Sequence, residues 1–482
     1  MKKIVISKLF LYRHRFVIGY ILLGLAFFAL LFSMPALAQH GLSSAEMESA
    51  TSSYYIGRQG IVNGDIVDLP YRLLQKISIM IFGLTTYAIK LPSVIIGLLL
   101  GFLLILLLNR WFKNNVSLLA SCLIILSTPF LFLAGSGTPL IMLVFWPTLL
   151  LWLGSKIQGE KKPKPSYSFF FALAMLGSIF TPYMIYFAVF CIFFVLFQPH
   201  LRFIVKNLPR LLLVFLAIIL LAGFALLGAN IINHPETIMQ LLFAKDFHLG
   251  AFFGNIAAGL APVFSWHNTV ESTFLSPLIS LPVLALALIG LFSTTKGFFA
   301  SRNSIASILI VFCLVITGFD PQAVVFFILP FSILIAHGLK YLLEKWYGLF
   351  PENPYARISA LLPLTILFAV IIVPGLLQYI YGYRYNPNIA DEFSYTLDVV
   401  RSNLTDEELV VSDNVEFYRI LEDRTDLKIV EAPQSSTGKI AFLGPQEKVP
   451  QNFRLKRIVT SSMRENSDII YVYNIEQPKE GE

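Results

Sequence analysis

Residues 87–109 read YAIKLPSVIIGLLLGFLLILLLN, and this stretch decides the class of fold. A helix needs about 20 mostly apolar residues to cross the hydrocarbon core of a bilayer, and this run supplies them with Lys90 as its single charge. Working outward, similar runs recur near 16–38, 116–134, 138–154, 167–181, 182–198, 211–229, 274–293, 304–319, 321–340 and 358–378. The expectation is an all-α polytopic membrane domain over residues 1–380 with about eleven spans. Residues 169–197 read either as one long helix or as two short ones broken at Thr181-Pro182, since proline removes a backbone donor. Two spans keep the sidedness consistent.

Lysine and arginine collect in short loops that stay in the cytoplasm. Loops assigned to that side hold nineteen of them, including Arg110, Lys113, Lys156, Lys340 and Lys345. Loops assigned outside, up to residue 380, hold five: Arg58, Arg72, Lys76, Lys90 and Lys245. The bias predicts a cytoplasmic N-terminus and places the polar loops 39–86 and 230–273 outside. Ala36-Leu37-Ala38 before Gln39 has the look of a signal-peptide cleavage site, but the preceding apolar stretch is long enough to span. In both cases the first polar loop lies outside.

The net charge of +7 conceals a basic membrane part and an acidic tail. No basic patch interleaved with aromatics occurs on a soluble segment, which excludes a nucleic-acid partner. Cys122, Cys191 and Cys313 all fall within expected spans, so no disulfide framework is expected. Within 230–273, residues 238–243 and 252–264 suit helices lying in the interface or re-entering between spans.

After the last span, residues 381–482 change character, with scattered acids and short alternating apolar runs. They predict a small soluble α/β domain outside the membrane. Its elements are a helix over 391–403, a helix from Asn414 to Leu421, and strands at 408–411, 427–430, 439–443, 455–459 and 469–475.

In a chain that is only 13% charged, the acids Glu46, Glu48, Asp65 and Asp68 in one external loop call for a function. That loop runs into Asp68-Leu69-Pro70-Tyr71-Arg72-Leu73-Leu74-Gln75-Lys76, then Ile81-Phe82-Gly83 and Ile89-Lys90-Leu91-Pro92-Ser93. Over residues 16–110 this arrangement resembles the GT-C membrane glycosyltransferases, particularly the aminoarabinose and protein O-mannosyl transferases. In those families an Asp-Glu pair follows the first span, then Lys-Pro-Pro, an interfacial helix, a Phe-Gly turn and Arg-Leu-Pro-Ser. Here Ala45-Glu46 stands at the acidic pair, Asp68-Leu69-Pro70 at Lys-Pro-Pro, and Lys90-Leu91-Pro92-Ser93 at the last element. Two departures stand out: Ala45 replaces the first acid, and Asp68 replaces a lysine.

The resemblance implies a plasma-membrane glycosyltransferase that moves a sugar from a polyprenyl-phosphate donor to an extracytoplasmic lipid, glycan or protein acceptor. A lipid-linked sugar flippase, or a homologue that binds the sugar lipid without turnover, is the alternative. Sugar transfer needs a carboxylate to take the acceptor's proton and cations to stabilise the departing phosphate. Glu46 is the expected base, with Glu48 as a substitute for the missing acid. Glu48 stands at i+2, on another face if the segment is helical. Asp68, Arg58, Arg72, Lys76, His248 and His267 are the expected substrate-binding residues. Arg72 and Lys76 are four apart and share a helix face, where snorkelling to the interface is the plainer explanation. Asp68 also serves as that helix's N-cap, and Asp320 as a turn residue. No metal-ligand spacing is present, so a divalent ion is neither indicated nor excluded.

Overall fold

The computed structural model describes residues 14–37, 41–57, 65–159, 165–197, 199–206, 210–243, 248–264, 279–295, 301–349, 361–385, 392–404, 408–411, 414–431, 439–443, 453–460 and 469–475. Among them, five helices are long and apolar enough to cross a membrane. They are Phe16–Ser33, Thr86–Trp111, Pro139–Gln158, Pro321–Leu349 and Pro363–Tyr385. Shorter apolar helices occupy Met184–Phe197, Ala217–Asn233, Leu281–Thr295 and Asn303–Phe319. The chain is a multi-pass membrane protein.

One expected span takes a different form, and 169–197 follows the two-helix reading. Residues 116–134 are not one straight helix but Asn114–Ile125 and Thr128–Gly135, bent by 61°. Pro129 sits in the first turn of the second helix, where its missing N–H costs nothing, and Ser127 precedes it in extended conformation. The segment 169–197 is two helices, Pro165–Ser178 and Met184–Phe197, broken where Thr181-Pro182 lies. The two helices expected within 230–273 appear as Glu236–Leu242 and Phe252–Phe264.

The helix Leu69–Phe82 inverts the usual pattern of a surface helix. Gln75 and Ser78 face inward, while Leu73, Leu74, Ile77, Met80 and Ile81 face outward. That suits a helix lying against hydrocarbon with protein behind it. The helices Leu281–Thr295 and Ile328–Leu349 meet through Gly290 and Gly338. A Cβ on Gly290 would stand 1.9 Å from the Leu334 carbonyl oxygen, and one on Gly338 2.1 Å from that of Leu286. Backbones approach this closely only where no side chain intervenes. Gly290→Val is therefore expected to destabilise the bundle by at least about 1–3 kcal/mol, read as a lowered unfolding temperature in detergent. An unchanged temperature would show that the crossing is looser than described.

Beyond the membrane helices lies a five-stranded sheet in the order β4-β3-β5-β7-β6. β3 (Glu408–Val410) runs parallel to β4 (Lys428–Val430) and to β5 (Lys439–Leu443). β7 (Ile469–Ile475) is antiparallel to β5 and to β6 (Phe453–Thr460). The expected helix over 391–403 is shorter, Thr396–Asn403, because Phe393–Ser394 is spent on a strand, β2. β2 pairs antiparallel with β1 (Leu42–Ser43) of the first loop. Asn414 does stand at the N-cap of Val415–Glu422, but in left-handed conformation and without a side-chain capping bond.

The sheet domain and the first loop share one core. Leu397, Val400, Phe417 and Leu421 pack in a cluster with Leu42, Met47, Ala50, Ile79 and Ile89. Arg424 donates to the Met80 carbonyl at 2.7 Å, and Thr86 to Asp398 at 3.0 Å. The domain is thus fastened over the loop that carries the candidate site.

Candidate active site

Glu46 belongs to the helix Ser44–Tyr55, which opens with a reciprocal capping box. The Ser43 hydroxyl accepts from the Glu46 amide at 3.3 Å, and the Ser43 amide donates to Glu46 Oε2 at 2.9 Å. Glu46 Oε1 accepts from the Gly137 amide at 2.5 Å and lies 3.6 Å from Lys90 Nζ. Both side chains are 1% exposed. The carboxylate expected to act as base is therefore enclosed, with both oxygens engaged. Glu48, two residues on, is exposed on another face of the helix.

Gln75 continues this buried network. Its amide donates to the carbonyls of Ile89 (3.0 Å) and Gly137 (2.9 Å), and its oxygen accepts from Ser49 (2.9 Å) and Ser53 (2.6 Å). Beside it, the Tyr71 hydroxyl shares a 2.8 Å hydrogen bond with Ser93. These contacts tie the first loop, the interfacial helix, the start of the Thr86–Trp111 span and the turn after Gly135 into one unit. Every donor and acceptor of Gln75 is met, which is what makes such a buried polar network stabilising.

Asp68 has the opposite character. It stands at the N-cap of Leu69–Phe82, but its φ of 56° is left-handed and its side chain makes no capping bond. The expected capping role is thus not filled. Its amide donates to the Phe180 carbonyl at 2.7 Å, which fixes the loop against the break between two spans. The residue is 7% exposed. Burial pushes its carboxyl up to about 7, the positive charge of Arg72 working against this and Asp65 adding to it.

The break that holds Asp68 contains a second left-handed residue, Tyr183, with φ 64°. Its amide donates to the Leu241 carbonyl at 2.9 Å and its hydroxyl to Asp320 Oδ2 at 2.8 Å. Asp320 caps the turn that begins at Pro321 by accepting from the Gln322 amide at 2.9 Å. Two non-glycine residues held in a sparsely populated region, side by side, mark a place where the surroundings over-determine the backbone.

Arg72 pairs with Asp65, whose other oxygen accepts from the Val67 amide at 2.9 Å. The Arg72 side chain is 13% exposed and that of Asp65 48%. Lys76 does not share this environment, since its ammonium donates to the Ile56 carbonyl at 2.5 Å. Close by, His234 and Glu236 are 3.0 Å apart. The Glu236 carboxyl is held below its ordinary range by its own backbone N–H and then by His234, while Asp65 acts in the opposite direction.

The structure thus brings together Asp65, Asp68 and Arg72 with Tyr183 and Asp320, and puts Glu46 in a separate buried network. His248 is exposed in the second loop, and its carbonyl accepts from Ala251. Arg58 and His267 lie outside the described residues. Among the described residues no group of three or more His, Cys, Asp or Glu side chains could hold a metal ion. Sequence reasoning missed Lys90, Gln75 and Tyr183 as parts of this region. One signal for Lys90 was available: a lone cation at the start of an apolar span requires a partner.

Residues 70–226 match the family described as dolichyl-phosphate-mannose-protein mannosyltransferase. No curated protein sequence matches the chain. Among solved structures, the chain is similar to ArnT from Cupriavidus metallidurans. In the form bound to undecaprenyl phosphate the identity is 12% and the TM-score 0.54, covering 95% of this chain and 98% of that one. The apo form gives 13% and 0.55 over the same shares. The Archaeoglobus fulgidus oligosaccharyltransferase tethered with an acceptor peptide gives 12% and 0.52, over 89% of this chain and 65% of that one. The fold is that of the GT-C glycosyltransferases.

Proposed function

We propose that this GT-C-fold membrane protein transfers a sugar from a polyprenyl-phosphate donor to an acceptor on the outer face of the membrane, with Asp68 as the base. The observation that carries the proposal is the state of Asp68. It is a buried carboxyl without a capping bond, on strained backbone, poised near neutral pH. A base whose pKa lies near the operating pH is the efficient one. In the reaction, Asp68 takes the proton of the acceptor hydroxyl. The acceptor oxygen attacks the anomeric carbon, the bond from that carbon to the phosphate oxygen breaks, and the phosphate departs with its charge.

Arg72 is the cation suited to that phosphate. Its partner Asp65 is half exposed, so the resting pair is easily exchanged for a donor phosphate. Glu46 in this account holds the loop in shape, and Tyr183 with Asp320 braces the opposite wall. An apolar cavity of about 130 Å³ lies at the bend of the broken span, lined by residues such as Leu126, Val263, Phe331 and Ile371. It suits part of a hydrocarbon tail. The outward location follows from the charge bias of the loops: lipid-linked sugars reach that face, and cytoplasmic nucleotide sugars do not.

The rate of transfer is expected to rise with pH through about 7 and then level off, because the base acts in its ionised form. The test is a pH profile of polyprenyl-phosphate release from donor lipid in proteoliposomes. A profile flat from pH 5 to 9 removes Asp68 from the role. One observation favours binding without turnover as a second reading. Ala45 stands exposed where the resembled families have an acid. Donor lipid that is retained by the protein with no phosphate carrier released identifies that case.

A further inference from the structure

The end of the bundle away from Asp68 holds a second cavity, of about 220 Å³. Trp111, Lys113 and Asn115 line it where the helix Thr86–Trp111 gives way to Asn114–Ile125. Lys340, Glu344 and Tyr347, on the last turns of Ile328–Leu349, form the other wall. The wall is firm. The Tyr20 hydroxyl bridges Asn109 Oδ1 (2.6 Å) and the Asn114 carbonyl (3.2 Å), and the rings of Phe112 and His337 meet edge to face at 4.8 Å.

The lining carries two ammonium groups and one carboxylate. Lys113 is exposed, and Lys340, one-third exposed, reaches Glu344 only at 3.8 Å. An i,i+4 pair at that distance on a half-solvated surface contributes little, so an anion that both lysines reach at once displaces it. Tryptophan and tyrosine at the rim are the side chains that settle at headgroup level. Phe112 and Leu343 line the same cavity, so apolar surface adjoins the charged groups. This end also carries Arg110, Lys156 and Lys345.

We propose that this cavity holds the phosphodiester headgroup of an anionic phospholipid, with Lys113 and Lys340 on the phosphate oxygens and the acyl chains leaving past the apolar lining at Phe112 and Leu343. Basic pockets between membrane helices bind such headgroups. The site is remote from Asp68 and independent of the reaction proposed above.

The test compares the wild-type protein with the Lys113→Gln/Lys340→Gln variant in native mass spectrometry. The protein is delipidated and then titrated with phosphatidylglycerol or phosphatidylcholine. Each lysine near an anionic headgroup contributes roughly fivefold in affinity, so the double variant is expected to bind phosphatidylglycerol roughly 20–30-fold more weakly. Phosphatidylcholine binding and the unfolding temperature in detergent should not change, and Lys113→Arg/Lys340→Arg should restore the preference. Equal binding of the two lipids by the wild type would overturn the proposal, as would unchanged phosphatidylglycerol binding by the double variant. Inorganic phosphate raising the unfolding temperature of lipid-free protein as much as phosphatidylglycerol does would assign the cavity to a free anion and also overturn it.

Discussion

Asp68→Asn is expected to lower sugar transfer by about 10²–10⁴-fold, the usual contribution of a positioned general base. The substitution keeps size and shape but removes the ability to take a proton. Donor binding should change little, because the phosphate contact is assigned to Arg72. The same substitution is expected to stabilise the protein at alkaline pH. Asp68 has a pKa raised in the fold from 3.8 to about 7. Between those values the folded state binds more protons than the unfolded one, so stability falls as pH rises across that window. Asparagine carries no such penalty. A thermal scan at pH 8 should therefore place Asp68→Asn above the wild type, with the gap closing towards pH 4. Lost activity together with gained stability separates a functional acid from a structural one. An Asp68→Asn protein that is active and less stable would reverse the assignment.

Glu46→Gln is expected to do the opposite. It leaves the Lys90 ammonium, 1% exposed, without the carboxylate 3.6 Å away. Breaking one side of a buried ion pair costs about 3–5 kcal/mol. Glutamine also supplies only one acceptor oxygen for the Ser43 and Gly137 amides that Glu46 now serves with two. The loop, the β1–β2 pairing and the seating of the C-terminal domain should loosen together. The measurements are the unfolding temperature and the amount of folded protein in membranes. Adding Lys90→Met to Glu46→Gln should recover part of the loss, since the stranded charge is removed. Full stability in Glu46→Gln with transfer abolished would instead make Glu46 the base and Asp68 a structural residue.

The membrane domain was readable because long apolar runs have one use. The strands Lys439–Leu443 and Ile469–Ile475 were readable because short apolar runs between polar breaks suit a sheet. The 61° bend before Pro129 was hidden by unbroken hydrophobicity on both sides of it. β1 and β2 are two residues each and lie some 350 positions apart, so no local pattern announces their pairing.

The site was legible in part. The sequence brought attention to the first loop and to Asp68 and Arg72, which the structure sets near each other and near Asp65. It could not separate Glu46 from Asp68, because the two differ in hydrogen-bond partners and backbone conformation rather than in local composition. Glu46 looks like a capping-box residue in sequence and is one, but the ion pair with Lys90 is long-range. Asp68 looks like an ordinary N-cap ahead of Pro70, but in the fold its amide is held by the distant Phe180 carbonyl, its backbone is left-handed and its carboxyl makes no capping bond.

Turnover of the donor tests sugar transfer at Asp68 most directly. Purified protein in liposomes is supplied with labelled polyprenyl-phosphate sugar and extracted cell-envelope acceptors, and free polyprenyl phosphate is measured beside the labelled product. Both should appear together with the wild-type protein, and neither with Asp68→Asn. Sugar lipid crossing the bilayer with no polyprenyl phosphate released would contradict it.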